Sequence, residues 1–352
     1  MKSICFFNNK GGVGKTTLLC NVASYLATEL KLRVLVVDAD PQCNATQLIL
    51  GESRVQSMYK VLSLEGKKRK SSSETLFDVL RPITIGESAI TVPRAHSMNL
   101  QNRFGVSLIA GHPQVALLED RLSQAWLQLS GGDIGGARQT NWNTQLCDSL
   151  RDKYDAAFFD VGPSLGALNR SVLLGVNYFV TPVGCDVFSL LGVTNISQWL
   201  KNWFGHYERS IDACKRAGFS SELSEFGIHE DVEDIARFIG YTVQQYIAKS
   251  KEGKRRPTVR YEAIRQKVPA TVQTNLGMFV APQVSPDDLE LPDVPHMYSL
   301  VPLSQSVAAP IHLLGYGDGL SGAQPGQKDT YVKFIKDLAE SVVTNAALTA
   351  ED

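Results

Sequence analysis

The sequence predicts an α/β protein with a mostly parallel, twisted sheet flanked by helices. Three observations carry this. Four short apolar runs, Ser3–Phe7, Val34–Val37, Ala156–Asp160 and Tyr178–Pro182, carry no charge before their last residue, as strands covered on both faces require. Between the first two, Thr17–Leu30 places Leu18, Val22, Leu26 and Leu30 at spacings of four, the face of a helix. A glycine-rich loop joins the first strand to this helix, so strand, loop, helix and strand follow one another as in a right-handed βαβ unit.

The remaining elements follow in order. Residues 65–73, EGKKRKSSS, read as a loop, and Thr75–Leu80 as a short helix. Val106–Ala110 is a further strand. Helical patterns cover 114–128 and 140–152, separated by GGDIGG at 131–136. Residues 187–216 are mostly helical, 221–234 are acidic, and Phe238–Tyr246 is a candidate strand. A basic stretch, 249–267, overlaps a helix within 259–275. Four prolines make 281–297 an extended loop, and Tyr331, Phe334, Ile335, Leu338, Val342 and Val343 mark one face of a closing helix. No internal repeat is visible, so 1–352 reads as one domain with elaborations.

Composition excludes several classes. With 43% hydrophobic and 20% charged residues among 352, the chain is ordinary for a soluble globular protein. A formal net charge of −1 gives no global field for nucleic acid, so any such binding needs local patches. The six cysteines (Cys5, Cys20, Cys43, Cys147, Cys185, Cys214) form no C-x-x-C, and scattered thiols predict a reducing, cytoplasmic setting. The six histidines lack metal-ligand spacing. The N-terminal residues do not form a signal peptide, and no stretch approaches ~18 apolar residues, so no membrane partner is expected.

Residues 8–17 read NNKGGVGKTT. The phosphate-loop pattern G-x-x-x-x-G-K-[ST] fails by one letter, because Asn9 stands where its first glycine belongs. The context is otherwise right: the loop follows a strand and opens a helix. Gly11, Gly12 and Gly14 leave room for backbone N–H groups to reach phosphate oxygens, and the helix N-terminus adds partial positive charge. Lys15 is placed for the β- and γ-phosphates and Thr16 for Mg²⁺, with Val13 and Thr17 completing the cradle. A glycine turn that binds nothing is the plain alternative. Asp160, closing the third buried strand, is a Walker B acid candidate for Mg²⁺, directly or through water.

KGGVGKTT resembles the deviant phosphate loop of the ParA/MinD family of ATPases. The resemblance implies a P-loop NTPase fold of the deviant Walker A class, with ATP and Mg²⁺ as cofactors. It also implies that Lys10 reaches across a homodimer with ATP sandwiched at its interface and neutralises charge on the partner's transferred phosphoryl group. A solvated Lys10 is the alternative. VLVVDADPQCNAT is similar to the family's VLLIDLDPQGNAT, which implies that Asp40 orients the attacking water and Asp38 supports the Mg²⁺ shell. Either Asp could instead cap the turn that Asp-x-Asp-Pro favours. Three carboxylates converging on one loop would be costly without a cation, which favours Mg-nucleotide. DVGPSLG resembles D-x-P-P-S-L-G, with Gly162 in place of the first proline, so a more mobile segment is expected there. ETLFDVLR at 74–81, FGVSLIAGHPQVALLED at 104–120, FVTPVGCDVFSLLG at 179–192 and PLSQSVAAPI at 302–311 follow the family's order. The likeness weakens at 52–73, 195–235 and 281–297, which read as insertions.

The stretch 249–267 carries eight Lys or Arg against two Glu. Lys249, Lys251, Lys254, Arg255, Arg256 and Arg260 are its candidate contacts to nonspecific DNA. Lys67, Lys68, Arg69 and Lys70 form a second cluster. A solvated loop balancing the acidic 222–234 segment is the alternative. The first strand begins at residue 3, so no preceding helix-turn-helix is expected, and the small, acidic NAALTAED ending argues against a membrane helix. The expected function is therefore a slow, partner-stimulated ATPase switch in plasmid or DNA partition, cytoplasmic and nucleoid-associated with ATP. The alternative is a nucleotide-dependent sensor or interaction subunit of a mobile-element or phage-defence system. An iron–sulfur or metal-transfer relative would need paired cysteines at a dimer axis, and none of the six has that context.

Overall fold

The computed structural model describes residues 1–63, 74–244, 250–251, 254–255, 259–297 and 299–349. Strands β1 (Lys2–Phe6), β2 (Val34–Asp38), β3 (Ser107–Ile109), β4 (Ala156–Asp160), β5 (Tyr178–Val183) and β6 (Arg237–Val243) form one sheet in the order β3-β2-β4-β1-β5-β6. Every pairing in it is parallel. Helices cover both faces, so every residue of β2 and β4 is buried, which is why these strands read as unbroken apolar runs.

Register sets the chemistry. Asp38 and Asp160 are direct partners across β2 and β4, at the carboxyl ends of neighbouring strands. Open α/β sheets place ligands at that end. Helix α1 (Lys15–Thr28) packs Leu18, Leu19, Val22 and Leu26 against the sheet, each fully buried. Each such side chain contributes roughly 1.5–3 kcal/mol of transfer free energy, which keeps the N-terminus of α1 at the carboxyl end of the strands. Helix α2 (Asn44–Leu50) follows β2 after a short turn.

Two segments go beyond the sequence reading. GGDIGG is not a plain separator. Asp133 accepts a hydrogen bond from the Gly136 N–H at 2.6 Å and starts a helix at Ile134–Thr140. A Cβ at Gly136 would stand 2.6 Å from the Ala125 carbonyl oxygen, so glycine here lets two helices touch. The 281–297 stretch is extended, as expected, and is also seated on the sheet. It contains a 3-10 turn, Pro286–Leu289, and runs along β6 through single parallel bridges, Tyr241 to Glu290 and Gln244 to Val294. Its own Val284, Leu289, Leu291 and Val294 are buried, so the strap covers an otherwise open sheet edge. The expected helix over 187–216 is a single helix, Val187–Arg216.

The segment after 302 closes over α1. The Asn21 Oδ1 accepts from the Ile311 N–H at 2.9 Å, and the next residue, His312, is buried with Nε2 3.0 Å from the Thr28 Oγ1. The Tyr25 ring lies edge-on to it at 5.5 Å, and Glu29 is 4.0 Å away. Burial lowers the His312 pKa to about 4; Glu29 opposes this and Lys328 adds to it. A depressed pKa contributes stability that is complete above the unfolded value near 6.5 and is lost as pH falls towards 4. Between pH 7.5 and 5 this amounts to about 2 kcal/mol. His312→Asn is therefore expected to flatten the pH dependence of Tm over that interval, and a variant curve parallel to the wild type would refute the assignment.

Candidate nucleotide site

The loop is anchored before it turns. Asn8 is fully buried, donates from Nδ2 to the Pro182 carbonyl at 2.6 Å, and accepts the Lys10 N–H on Oδ1 at 2.9 Å. Gly12 and Gly14 then take φ of 76° and 74°, the left-handed region where a side chain is strained. A Cβ at Gly11 or Gly12 would meet nothing within 4 Å, so the backbone there borders open space. Gly14 caps α1 with no side-chain bond, and the first turn holds no acidic residue. The first N–H groups of a 14-residue helix are thus left for an external anion. Gly11, Gly12, Gly14, Lys15, Thr16 and Thr17 line a cleft of about 670 Å³, with Asp40 also on its wall.

Lys15 is only 7% exposed, and its ammonium donates to the Lys10 carbonyl at 3.2 Å. Burial lowers its pKa, against the pull of Asp160 and Asp40. A buried cation bonded to a carbonyl is well matched to a phosphate, which would offset its desolvation. Thr16 donates from Oγ1 to the Asp160 Oδ2 at 2.9 Å and faces Oδ1 at 3.1 Å. Burial, then the neighbouring Asp38, push the Asp160 carboxyl well above the carboxylate range. A hydroxyl and a carboxylate side by side, both hard oxygen donors, fit Mg²⁺ when a phosphate supplies further oxygens.

Asp38 is fully buried and hydrogen-bonded. Its Oδ2 accepts from the Thr46 N–H at 2.8 Å and the Thr46 Oγ1 at 2.6 Å, while Oδ1 takes the Asp40 N–H at 3.3 Å. Burial pushes its pKa up to about 7, with Thr46 pulling the other way. Among the described residues no three His, Cys, Asp or Glu side chains gather as a metal-ligand group. Asp38 lies beside Asp160 across the strands, and its carboxylate is held by Thr46, where it ties β2 to α2. Asp40 is 7% exposed and accepts the Gln42 N–H on Oδ1 at 3.0 Å. A Cβ at Gly162 would stand 3.2 Å from that same oxygen, so this segment packs closely on Asp40. The 162–164 segment is tied by Asn169, whose Nδ2 donates to the carbonyls of Gly162 at 2.8 Å and Ser164 at 2.7 Å.

Lys10 does not line the cleft of its own chain. Its ammonium pairs with Asp186, the residue capping the helix Val187–Arg216, and lies 3.3 Å from the Ser189 Oγ. Burial would raise the Asp186 carboxyl, but hydrogen bonds from Lys10 and Ser189 outweigh it and hold the carboxyl below its usual range. Val13 is buried, and its carbonyl accepts from the Gln244 Nε2 at 2.7 Å. Motif reading found neither Asp186 nor Gln244, and it missed Asn44, Gln47 and Glu52 on the cleft wall. The wall residues had a signal: Asn44 and Gln47 lie three apart on α2, the polar face of a helix whose Leu48 and Ile49 are buried. Pro302, Gln305 and Ser306, from the 302–311 segment, close the far side.

Of the basic candidates, Lys249 and Arg256 lie outside the described residues, as do Lys67, Lys68, Arg69 and Lys70. Lys251 and Lys254 are opposed in a two-stranded antiparallel hairpin, β7 (Ser250–Lys251) and β8 (Lys254–Arg255), and Arg260 lies on the helix Val259–Arg265. Arg265, in the same stretch, is engaged by Glu290 and by Asp293 at 3.0 Å, so its partners lie in the 281–297 strap and not in the acidic 222–234 segment.

A glycine loop between the first strand and first helix, a buried lysine, and a Thr–Asp pair at the carboxyl ends of a parallel sheet define a phosphate-loop nucleotide-binding protein. A family model described as an AAA domain matches residues 1–212. The chain belongs to the ParA/MinD family of phosphate-loop ATPases. It is 28% identical over 200 residues to the virulence plasmid ParA family protein pGP5-D of Chlamydia psittaci, covering 56% of this chain and 63% of that one. It is 30% identical over 202 residues to the chromosome-partitioning ATPase Soj of Treponema pallidum, covering 57% and 64%. The matched stretch thus spans just under two thirds of these relatives. Among solved structures, protein DIP2308 from Corynebacterium diphtheriae is 34% identical with a TM-score of 0.70, covering 88% of this chain and 97% of that one. A Cyanothece McdA–ATP complex, 13% identical with a TM-score of 0.56 and covering 100% and 98%, shares the fold.

Proposed function

We propose that this chain is an ATPase of the ParA type: it dimerises with ATP, hydrolyses Mg-ATP slowly, binds DNA without sequence preference in that state, and partitions DNA or positions a cargo. The supporting observation is the division of labour between two lysines on one loop, Lys15 inside the cleft and Lys10 outside it on Asp186. Relatives named for chromosome partitioning and for a plasmid support the cellular role. Thr16 and Asp160 would hold Mg²⁺, which would neutralise phosphate charge, with Asp38 supporting the shell. The glycine-loop N–H groups and Lys15 bind phosphate oxygens. Asp40 orients the attacking water, and Lys10 acts on the nucleotide of a second copy. A stimulating partner protein, a cytoplasmic setting and nucleoid association with ATP belong to the same reading. Among the described residues, no helix is long and apolar enough to cross a membrane.

The test is DNA mobility shift with ATP and with ADP, before and after Lys254→Ala, Arg255→Ala and Arg256→Ala together. The wild type should shift DNA with ATP and not with ADP. The triple variant should bind at least tenfold more weakly, with a salt slope shallower by roughly three. No shift in any nucleotide state, together with one stable protein partner, would overturn DNA binding in favour of the sensor reading.

A further inference from the structure

Gln244 lies 231 residues from Val13 of the phosphate loop in sequence and touches it in space. Its backbone is fixed at the end of β6: its N–H donates to the Val183 carbonyl at 2.9 Å, and it bridges to Val294 in the strap. Its side chain crosses to the loop, where Nε2 donates to the Val13 carbonyl at 2.7 Å. A Cβ on Gly14 would stand 2.7 Å from the same Nε2, so this amide packs directly against the loop's last glycine.

The geometry has a consequence for anion binding. A trans peptide points its C=O and N–H in opposite directions. Holding the Val13 carbonyl towards Gln244 turns the Gly14 N–H the other way, and Gly14 lines the cleft. One of the donors that must meet a phosphate oxygen is therefore oriented by a side chain from the far edge of the sheet. The same residue also carries a second connection. Its main-chain carbonyl accepts from the Tyr261 hydroxyl at 3.2 Å. Most of the basic stretch, Lys249 to Arg260, lies in sequence between Gln244 and Tyr261, so the residues flanking that part are bonded to each other where the phosphate loop is held.

We propose that Gln244 is a positioning residue for the phosphate loop and the link by which nucleotide occupancy reaches the basic segment. Nucleotide phosphate bound at the Gly14 N–H strengthens the Val13–Gly14 peptide orientation, and hence the Gln244 contact. Gln244 and Tyr261 then hold β7, β8 and the helix Val259–Arg265 more firmly. This rests on the nucleotide reading of the cleft and is independent of DNA binding.

Amide hydrogen exchange tests it, comparing protein alone with protein saturated by Mg²⁺ and a slowly hydrolysed ATP analogue. In the wild type, amides in 10–18 and in 250–265 should both slow with nucleotide. Gln244→Met keeps the length and removes the donor. It should weaken nucleotide affinity by roughly tenfold, as one lost hydrogen bond predicts, and lower Tm by no more than about 4 °C. At saturating nucleotide it should slow 10–18 and leave 250–265 unresponsive. Tyr261→Phe should keep nucleotide affinity within about twofold and lose the 250–265 response, which tests the link even if the Gln244 variant is poorly folded. A wild-type response confined to 10–18, or a 250–265 response that survives both substitutions, would overturn the proposal. If no nucleotide binds the wild type, the cleft reading itself fails. If exchange is coupled as stated and DNA is not shifted, the DNA reading alone fails.

Discussion

Lys15→Ala is expected to abolish nucleotide turnover while leaving the fold intact. The side chain is nearly fully buried at the N-terminus of α1, bonded to one carbonyl, and burial lowers its pKa. A cation so placed adds little to the stability of the protein alone, because its desolvation is not offset by an ion pair. Removing it should leave Tm unchanged or slightly raised. Its contribution appears only when phosphate charge stands opposite. A charge-assisted hydrogen bond to a phosphate is worth about 2–3 kcal/mol, so nucleotide affinity should fall by roughly 30- to 150-fold. Losing one preorganised donor to the transferred group costs a further 10²–10³-fold in turnover, on the order of other oxyanion donors. Phosphate release with a nucleotide titration and a thermal melt separates the three effects. Hydrolysis at the wild-type rate in a folded Lys15→Ala protein would remove the catalytic assignment altogether.

The legible parts of the molecule are those whose cause is local. Strands covered on both faces announce themselves as uncharged runs, and β2 and β4 lie where the runs end in Asp38 and Asp160. Gly11 to Thr17 could be placed because a strand, a glycine turn and a helix N-terminus are contiguous. What resisted reading depends on contacts made across the fold. Asp38 and Asp40 are two residues apart and chemically alike, yet Asp38 faces Thr46 while Asp40 faces the cleft. Only the turn from β2 into α2 decides which does which. Asp186 and Gln244 carry no motif of their own; the parallel sheet sets β5 beside β1 and β6 beside β5, and the strand ends so aligned make both residues neighbours of the loop. The strap at 281–297 looked irregular because proline cannot donate to a ladder, yet at a sheet edge isolated bridges and buried apolar side chains suffice.

Lys10→Ala is expected to remove ATP-dependent dimerisation without disturbing the monomer, and Asp186 sets the scale of that effect. The Lys10 and Asp186 side chains are 36% and 40% exposed, so their ion pair holds the lysine by no more than about 1 kcal/mol. A restraint of that size biases Lys10 by roughly fivefold and does not lock it. Across a closed, water-excluding interface the same ammonium facing a nucleotide's phosphates would gain several-fold more, because the surrounding dielectric is lower. The two substitutions should therefore act in opposite directions and with unequal size. Lys10→Ala should leave a monomer at every ATP concentration tested by sedimentation velocity, with ATP still bound through Lys15. Asp186→Asn, which keeps the helix cap and removes the charge, should shift dimerisation to lower protein concentration by up to about fivefold. Dimers of Lys10→Ala as stable as those of the wild type would assign the second lysine to its own subunit, and an Asp186→Asn protein that dimerises less readily would make the ion pair a support of the interface instead of a restraint on it.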